Sequence, residues 1–398
     1  MISVEEAVAT IRAGLAPLPA EEVALADGLN RVLAEDLAAG HDQPPVAVSA
    51  MDGYAVRATD TVSPPTTLAL IGESRAGGGF AGRVTAGEAV RIFTGAPLPE
   101  GADAIVIQEV TERTDTGVLV KEAAPEGHFV RPAGLDFHAG DVLLAAGTAL
   151  TPRALGLAAA ANRATLAVRR RPVIAILSTG DELVEPGGAL QPAQNVNANA
   201  ATLGAYVRAL GGEPVDLGIA RDSRESLLAL VKGAEKADLL VTSGGASVGD
   251  HDLVRSVLGE EGLALDFSGV AARPGKPTFF GRLKGTPLLG LPGNPVSIVV
   301  GGLLFLRPAL EALLGMDAET ETTERAKLAA PLERNGARQA YLRARSARQA
   351  DGTPTVTPFA QQDSSMLAQA AAADCLVVRA PHAPDAAAGD WVEILRIP

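Results

Sequence analysis

Apolar positions change their spacing several times along the chain, and each change predicts a different kind of structure. The opening stretch, MISVEEAVATI, reads as an amphipathic helix, with Ser3 and Glu6 at capping-box spacing. Residues 1–40 read as helix, short strand or turn, then a second helix ending at Gly40. From 41 to about 140 the apolar runs shorten and are punctuated by glycine and proline, the pattern of a small β domain. There Pro44-Pro45 forces an extended segment and Asp52-Gly53 signals a turn. Helix returns over 141–166 with Pro152 near its first turn, and Arg169-Arg170-Arg171-Pro172 reads as a solvated hinge.

Beyond the hinge, strand-like runs alternate with helical ones. Residues 173–177, 214–217, 239–241 and 288–289 are short and apolar; 199–210, 227–231 and a long run from Val296 suit helices. Alternation of this kind predicts a parallel sheet covered on both faces. After a polar stretch from Asp317, segments at 341–345, 355–359, 376–379 and 391–395 suit a small barrel or sandwich. The expected division is a helical linking domain (1–40 with 141–168), a small β domain (41–140), an α/β domain (169–316) and a C-terminal β-barrel domain (317–398).

Candidate chemistry gathers where the α/β strands end. The run ADLLVTSGGASVGDHD carries a strand into Ser243, Gly244 and Gly245, then Ser247 and Gly249, with Asp250 or a neighbour capping a helix over 251–258. Glycines there let backbone N–H groups approach an anion, which makes a phosphate-binding reading plausible. Leu291-Pro292-Gly293-Asn294-Pro295 opens the long helix, with Asn294 as N-cap and Pro295 at the first helical position. That turn reads either as a plain cap or as an anion site on free helix amides. Asp222 reads as a cap or as a functional acid. Glu182 and Asp252 each follow a strand end, as loop acids or as carboxylates sharing Mg²⁺ with phosphate oxygens.

Composition narrows the choice. At 398 residues with 47% apolar content, the chain supports two to four folded domains. The longest apolar run, 296–306, falls short of a bilayer span and is expected to stop at Arg307-Pro308. With an acidic, helical N-terminus rather than a signal peptide, a cytoplasmic location without membrane contact follows. A net charge of −13 argues against a nucleic-acid partner. The single cysteine, Cys375, excludes an internal disulfide and a thiolate zinc cage, and the five histidines are scattered without metal-ligand spacing, which argues against a histidine-dependent catalytic dyad. Gly77-Gly78-Gly79-Phe80-Ala81-Gly82 matches a dinucleotide fingerprint but opens no helix, and reads as a β-turn. Residues 269–276 fail as a P-loop, because Pro277 stands where the metal-holding hydroxyl belongs.

Taken together, SAMDGYAV, TGAPLPEGADAIVIQE, STGDEL, TSGGASVGDHD, RPGKP and LPGNPVS stand in one order across essentially the whole chain. In this the sequence resembles the molybdopterin molybdenumtransferases, bacterial enzymes related to the E domain of gephyrin. The resemblance implies an α/β plus β fold. The subunit would be multidomain and elongated, with a parallel α/β molybdopterin-binding domain, a small β domain and a C-terminal β-barrel-like domain, paired as a homodimer. It implies Mg²⁺-dependent insertion of molybdate into adenylylated molybdopterin with release of AMP, possible contact with other molybdenum cofactor biosynthesis proteins, and no nucleic-acid or membrane partner.

Carried onto this chain, the family's essential residues fall at Asp52, Thr94, Asp136, Glu182, Asp222 and Asp252, with Mg²⁺ at Glu182 and Asp252. The substrate-binding set comprises Ser243, Gly244, Gly245, Ser247 and Gly249, with a molybdate pocket of Arg273, Lys276, Arg343, Ser364 and Pro292–Pro295. Arg273 stands where a lysine is common, and DSSML where GSGML is frequent, so Ser365 replaces a flexible glycine. Two other readings are a sister enzyme of the same binding fold, acting on molybdopterin or a nucleotide, and a non-enzymatic scaffold. The extra β domains weigh against the first and the lack of a long linker against the second.

Overall fold

A computed structural model describes residues 1–245, 253–317 and 323–397. Ser247, Gly249 and Asp252, with the helix cap expected near Asp250, lie outside the described residues.

The α/β region is built on a six-stranded sheet in the order Glu213–Ala220, Val173–Thr179, Leu239–Ser243, Thr286–Leu291, Phe279–Leu283, Leu263–Ser268. The first four strands are parallel, and Val173–Thr179 and Leu239–Ser243 are the near-continuous buried runs that such a sheet predicts; all five residues of Leu239–Ser243 are buried. The last two correct the all-parallel expectation, because each pairs antiparallel with its neighbour. The cause is local. Only Lys284 and Gly285 separate two of these strands, both with positive φ (50° and 95°), so they close a two-residue hairpin.

Helices Ala198–Ala209, Arg224–Val231 and Leu253–Glu260 accompany the sheet. The helical path from Pro295 continues through Arg307-Pro308 to Leu313 rather than stopping there. A π turn over Gly302–Leu306 precedes the proline, loosening the helix where Pro308 has no N–H to donate. By length and composition this 19-residue path could cross a membrane, but it lies buried in the core. Val4, Ala7 and Ile11 of helix Val4–Ala13 join the same core. The Ser3–Glu6 capping box forms, with Glu6 N–H donating to Ser3 Oγ (3.0 Å) and Ser3 N–H to Glu6 Oε2 (2.8 Å).

The second helix expected before Gly40 does not form. Ala20–Ala24 pairs with Thr165–Arg169, Leu37–Ala38 pairs with Val142–Leu144, and the N–H of Leu33 donates to the carbonyl of Thr148. The helix expected over 141–166 shrinks to Pro152–Ala160, because strands flank it on both sides. Backbone partners distant in sequence override the local spacing in both places. The basic hinge is a fixed joint. Both terminal nitrogens of Arg170 donate to the carboxylate of Asp238 (2.8 and 2.6 Å), and Arg169 Nη1 donates to Leu18 O.

The middle region is a curled six-stranded sheet, ordered Ala104–Ile107, Gly53–Val56, Glu88–Ile92, Thr66–Ser74, Gly117–Val120, Thr111–Arg113. The glycine-rich segment after Thr66–Ser74 turns as expected, with Gly77 and Gly79 at positive φ. The C-terminal region is a closed five-strand barrel. Gln339–Arg348 pairs with both Pro354–Pro358 and Cys375–Arg379, and Glu324–Leu328 and Trp391–Arg396 complete the ring. Ala272–Arg273 adds to it in parallel from the α/β region.

Candidate active site

The parallel strands deliver their carboxyl ends to one side of the sheet, where such sheets bind ligands. A cleft of about 690 Å³ opens there, lined at the end of Val173–Thr179 by Thr179, Gly180 and Glu182, and at the end of Leu239–Ser243 by Ser243, Gly244 and Gly245. Asp222, the turn Pro292–Pro295, Pro277 and Ser365 complete much of the wall. Gly244 has φ +95°, and a Cβ there would stand 2.7 Å from the carbonyl oxygen of Thr179. The turn therefore needs glycine both for its conformation and for its closeness to the neighbouring strand.

Loop contacts set the acids on the rim. A Cβ at Gly180 would lie 2.5 Å from a carboxylate oxygen of Glu182, so the bare glycine leaves room for that side chain. Asp222 donates its N–H to Asp181 Oδ1 (3.0 Å), tying the two loops together. The helix cap is Ser223, whose Oγ accepts from Ser226 N–H (3.2 Å). Asp222 is thus not the cap, and its exposed side chain borders the cleft.

Asn294 occupies the N-cap position without capping through its side chain. Its Nδ2 instead donates to Ser364 Oγ (2.9 Å), and Val296 N–H donates to Ser364 O (3.0 Å). One of the amides expected to be free is therefore taken by the barrel's 361–366 segment. Ser365 is held as well, its N–H and Oγ donating to Asp363 Oδ1 at 2.8 and 2.6 Å. These bonds hold the Asp363 carboxyl below its ordinary pKa.

The four cationic or hydroxyl residues expected at molybdate divide into two kinds. Arg273 and Lys276 are exposed on the loop beside Pro277, and among the described residues neither forms an ion pair or side-chain hydrogen bond. Arg343 is 1% exposed and fully engaged inside the barrel. It donates to Gln362 Oε1, Met366 O and Gln361 O at 3.3, 3.0 and 3.3 Å, and burial lowers its pKa. Its bonds to Gln361, Gln362 and Met366 fix the two ends of the 361–366 segment that carries Ser364 and Ser365.

Asp52, Thr94 and Asp136 belong to the middle region, and none of them lines the cleft. Thr94 donates both its N–H and its hydroxyl to Asp52 Oδ1, which lowers the Asp52 pKa. Arg91 also favours the ionised carboxylate. Asp136 is exposed on a turn whose backbone bonds to Gln43.

Sequence reasoning missed Thr179, Asn195, Asn197 and Asn199, all lining the cleft. Asn199 Nδ2 donates to Ser243 Oγ (2.9 Å) and Gly293 O (2.7 Å), joining two of the glycine turns. The available signal was the run NVNAN, with an asparagine at every second position before a helix.

The architecture thus defines a multidomain protein with a polar, glycine-rimmed α/β cleft. Residues 2–162 match the family described as MoeA N-terminal region (domain I and II). Residues 175–312 match a probable molybdopterin binding domain, and 325–397 the MoeA C-terminal region (domain IV). The molybdopterin molybdenumtransferase of Haemophilus influenzae is 39% identical over 75% of this chain and 74% of its own. Molybdopterin molybdenumtransferase 2 of Mycobacterium tuberculosis is 37% identical over 87% and 88%. The crystal structure of the molybdopterin biosynthesis MoeA protein of Pyrococcus horikoshii superposes with a TM-score of 0.84 at 32% identity, covering 100% of this chain and 99% of that one. The chain belongs to the molybdopterin molybdenumtransferase family, transferases of molybdenum cofactor biosynthesis.

Proposed function

We propose that this protein inserts molybdate into adenylylated molybdopterin in a Mg²⁺-dependent reaction that releases AMP, as a cytoplasmic homodimer able to meet other molybdenum cofactor biosynthesis proteins. The observation that carries this reading is the cleft itself, where the glycine turns at 244–245 and 293 face the acids Glu182 and Asp222. Backbone turns of this kind hold a phosphate-bearing ligand without a dense cationic wall, as an acidic chain requires. Arg273 and Lys276 would draw in molybdate, a compact dianion, and Ser364 would orient it from the helix start.

The donor set suits magnesium. Glu182, with Asp222 nearby, offers exposed carboxylate oxygens, and the described residues hold no group of three or more histidine, cysteine or acidic side chains. Mg²⁺ favours one or two carboxylates plus phosphates and water over a full protein cage. Bound there beside Glu182, with Asp252 as the expected second ligand, it would neutralise charge on the phosphoanhydride. Glu182 would hold the ion, with Asp222 accepting hydrogen bonds from its waters, and the backbone N–H groups of the glycine turns would orient the phosphates; Asp52, ionised by its bonds to Thr94, would serve as acceptor or base toward the reacting end. The test supplies adenylylated molybdopterin, molybdate and Mg²⁺ and follows AMP together with metallated cofactor. Both products should form only when all three are present. AMP without metallated cofactor, or turnover unaffected by chelation, would overturn the proposal.

A further inference from the structure

Among the described residues, three side-chain polar atoms on or beside the parallel strands are buried without a hydrogen-bond partner: Thr179 Oγ1, Asn197 Nδ2 and Thr242 Oγ1. Such atoms are rare, and each costs stability in the free protein. Thr179 and Asn197 line the cleft, whereas Thr242 does not. Thr179 is 6% exposed and Asn197 2%. A Cβ at Gly244 would come within 2.8 Å of Thr179 Oγ1, and one at Gly245 within 3.0 Å, so the hydroxyl sits directly beside the glycine turn.

The orientation of Asn197 follows from its other bonds. Its Oδ1 accepts from Ser178 Oγ (3.0 Å) and, as cap of helix Ala198–Ala209, from Ala200 N–H (3.4 Å). The amide donor is what remains. Asn199, by contrast, is committed to Ser243 and Gly293. No lysine or arginine lines the cleft among the described residues. Neutral donors in a buried floor suit an uncharged, hydrogen-bonding heterocycle better than a phosphate.

We infer that Thr179 and Asn197 are specificity contacts for the heterocyclic, pterin end of the substrate, meeting its ring nitrogen and carbonyl acceptors at the floor of the cleft. This rests on the reading of the cleft as the molybdopterin site. A site that leaves polar groups unpaired until its ligand arrives rejects analogues lacking the matching atoms.

The test compares the wild type with T179V, N197D and the control T242V. N197D keeps the capping oxygen and removes the donor. Asn197 also borders a separate cavity of about 160 Å³, so Thr179 is the decisive position. Pterin and AMP are titrated separately, and thermal melting is recorded without ligand. T179V should bind pterin about tenfold more weakly, with AMP affinity unchanged and a melting temperature equal to or above wild type. N197D should also weaken pterin, and T242V should match wild type. Undiminished pterin binding in T179V, a loss confined to AMP, or an equal loss in T242V would overturn the inference. A wild type that binds neither probe would instead remove the reading of the cleft on which the inference rests.

Discussion

Asp52 and Thr94 are joined twice through one oxygen: the N–H and the hydroxyl of Thr94 each lie 2.8 Å from Asp52 Oδ1. The sheet brings this about. Asp52 immediately precedes strand Gly53–Val56, Thr94 follows Glu88–Ile92, and the two strands pair antiparallel with Gly53 opposite Ile92. Both residues therefore emerge at the same corner. Arg91 braces it, donating to Gly53 O (3.1 Å) and Gln108 Oε1 (2.7 Å).

The two hydrogen bonds favour ionised Asp52, and its pKa lies below the ordinary carboxylate value, chiefly through the Thr94 backbone and then its hydroxyl. A depressed folded-state pKa contributes stability above the ordinary value, lost as pH falls through the depressed one. Asp52 lies at the surface and only partly covered, so solvent screening keeps the effect on folding small; the effect on activity is the useful one. Thr94→Ala removes the hydroxyl and raises the Asp52 pKa toward normal. The acidic limb of the kcat/KM profile should move to higher pH, while Thr94→Ser leaves it in place. An unmoved limb would show that Asp52 is not the group titrating in turnover.

The strand-end turns were legible because glycine is itself a chemical signal. Gly244 and Gly245, singled out from TSGG, both take positive φ beside the cleft. Asp222 was ambiguous because Ser223 is equally able to cap, and only geometry shows which side chain reaches Ser226 N–H. The missing helix before Gly40 was illegible for another reason. The hydrogen-bond partners of that segment lie more than a hundred residues away, as with Leu33 and Thr148. Arg343 shows the same limit. A charged residue suggests a ligand contact, and nothing local reveals that the barrel closes over it.

Arg343 should therefore act on stability and on substrate together. Arg343→Met leaves Gln362 Oε1 and two carbonyls without the charged donor that now serves them. The cost should be about 2–4 kcal/mol, read from chemical denaturation. Molybdate use should weaken as the 361–366 segment loosens. Ser364→Ala should impair molybdate use with little change in stability. Equal stability loss in both variants would contradict this division of roles.

Gly244→Ala tests the turn. The left-handed backbone alone costs about 1–2 kcal/mol for an L-residue. The added Cβ also meets the Thr179 carbonyl, which belongs to a buried strand and has little room to withdraw. Substrate binding should fall by more than tenfold, with a melting temperature lowered by only a few degrees. Wild-type affinity would mean that the turn does not shape the binding surface.

Lys276→Ala should raise the apparent molybdate requirement about tenfold, the loss expected for one contact between a charged donor and a dianion. Lys276 is exposed and unpaired among the described residues, so its removal leaves no buried partner behind and stability should not change. Titrating molybdate at saturating adenylate, and adenylate at saturating molybdate, separates the alternatives. A collapse of nucleotide affinity with unchanged molybdate dependence would place Lys276 at the phosphates instead.

The separation of Asp52 and Thr94 from the cleft leads to the most demanding prediction. One chain presents Glu182, Asp222 and the glycine turns on its α/β region, and the Asp52 corner on its middle sheet. No residue of that sheet lines the cleft, so a site needing both parts would be completed by a second subunit. Asp52→Ala and Glu182→Ala homodimers should each be inactive. A mixed dimer places both lesions in one of its two sites and leaves the other intact. Co-expression with two affinity tags and purification through both isolates that species. It should show about half the wild-type AMP release per dimer, while mixing without subunit exchange restores nothing. Verified mixed dimers with no recovered activity would mean that each subunit assembles its own site, and the Asp52 corner would then have to reach the cleft within one chain.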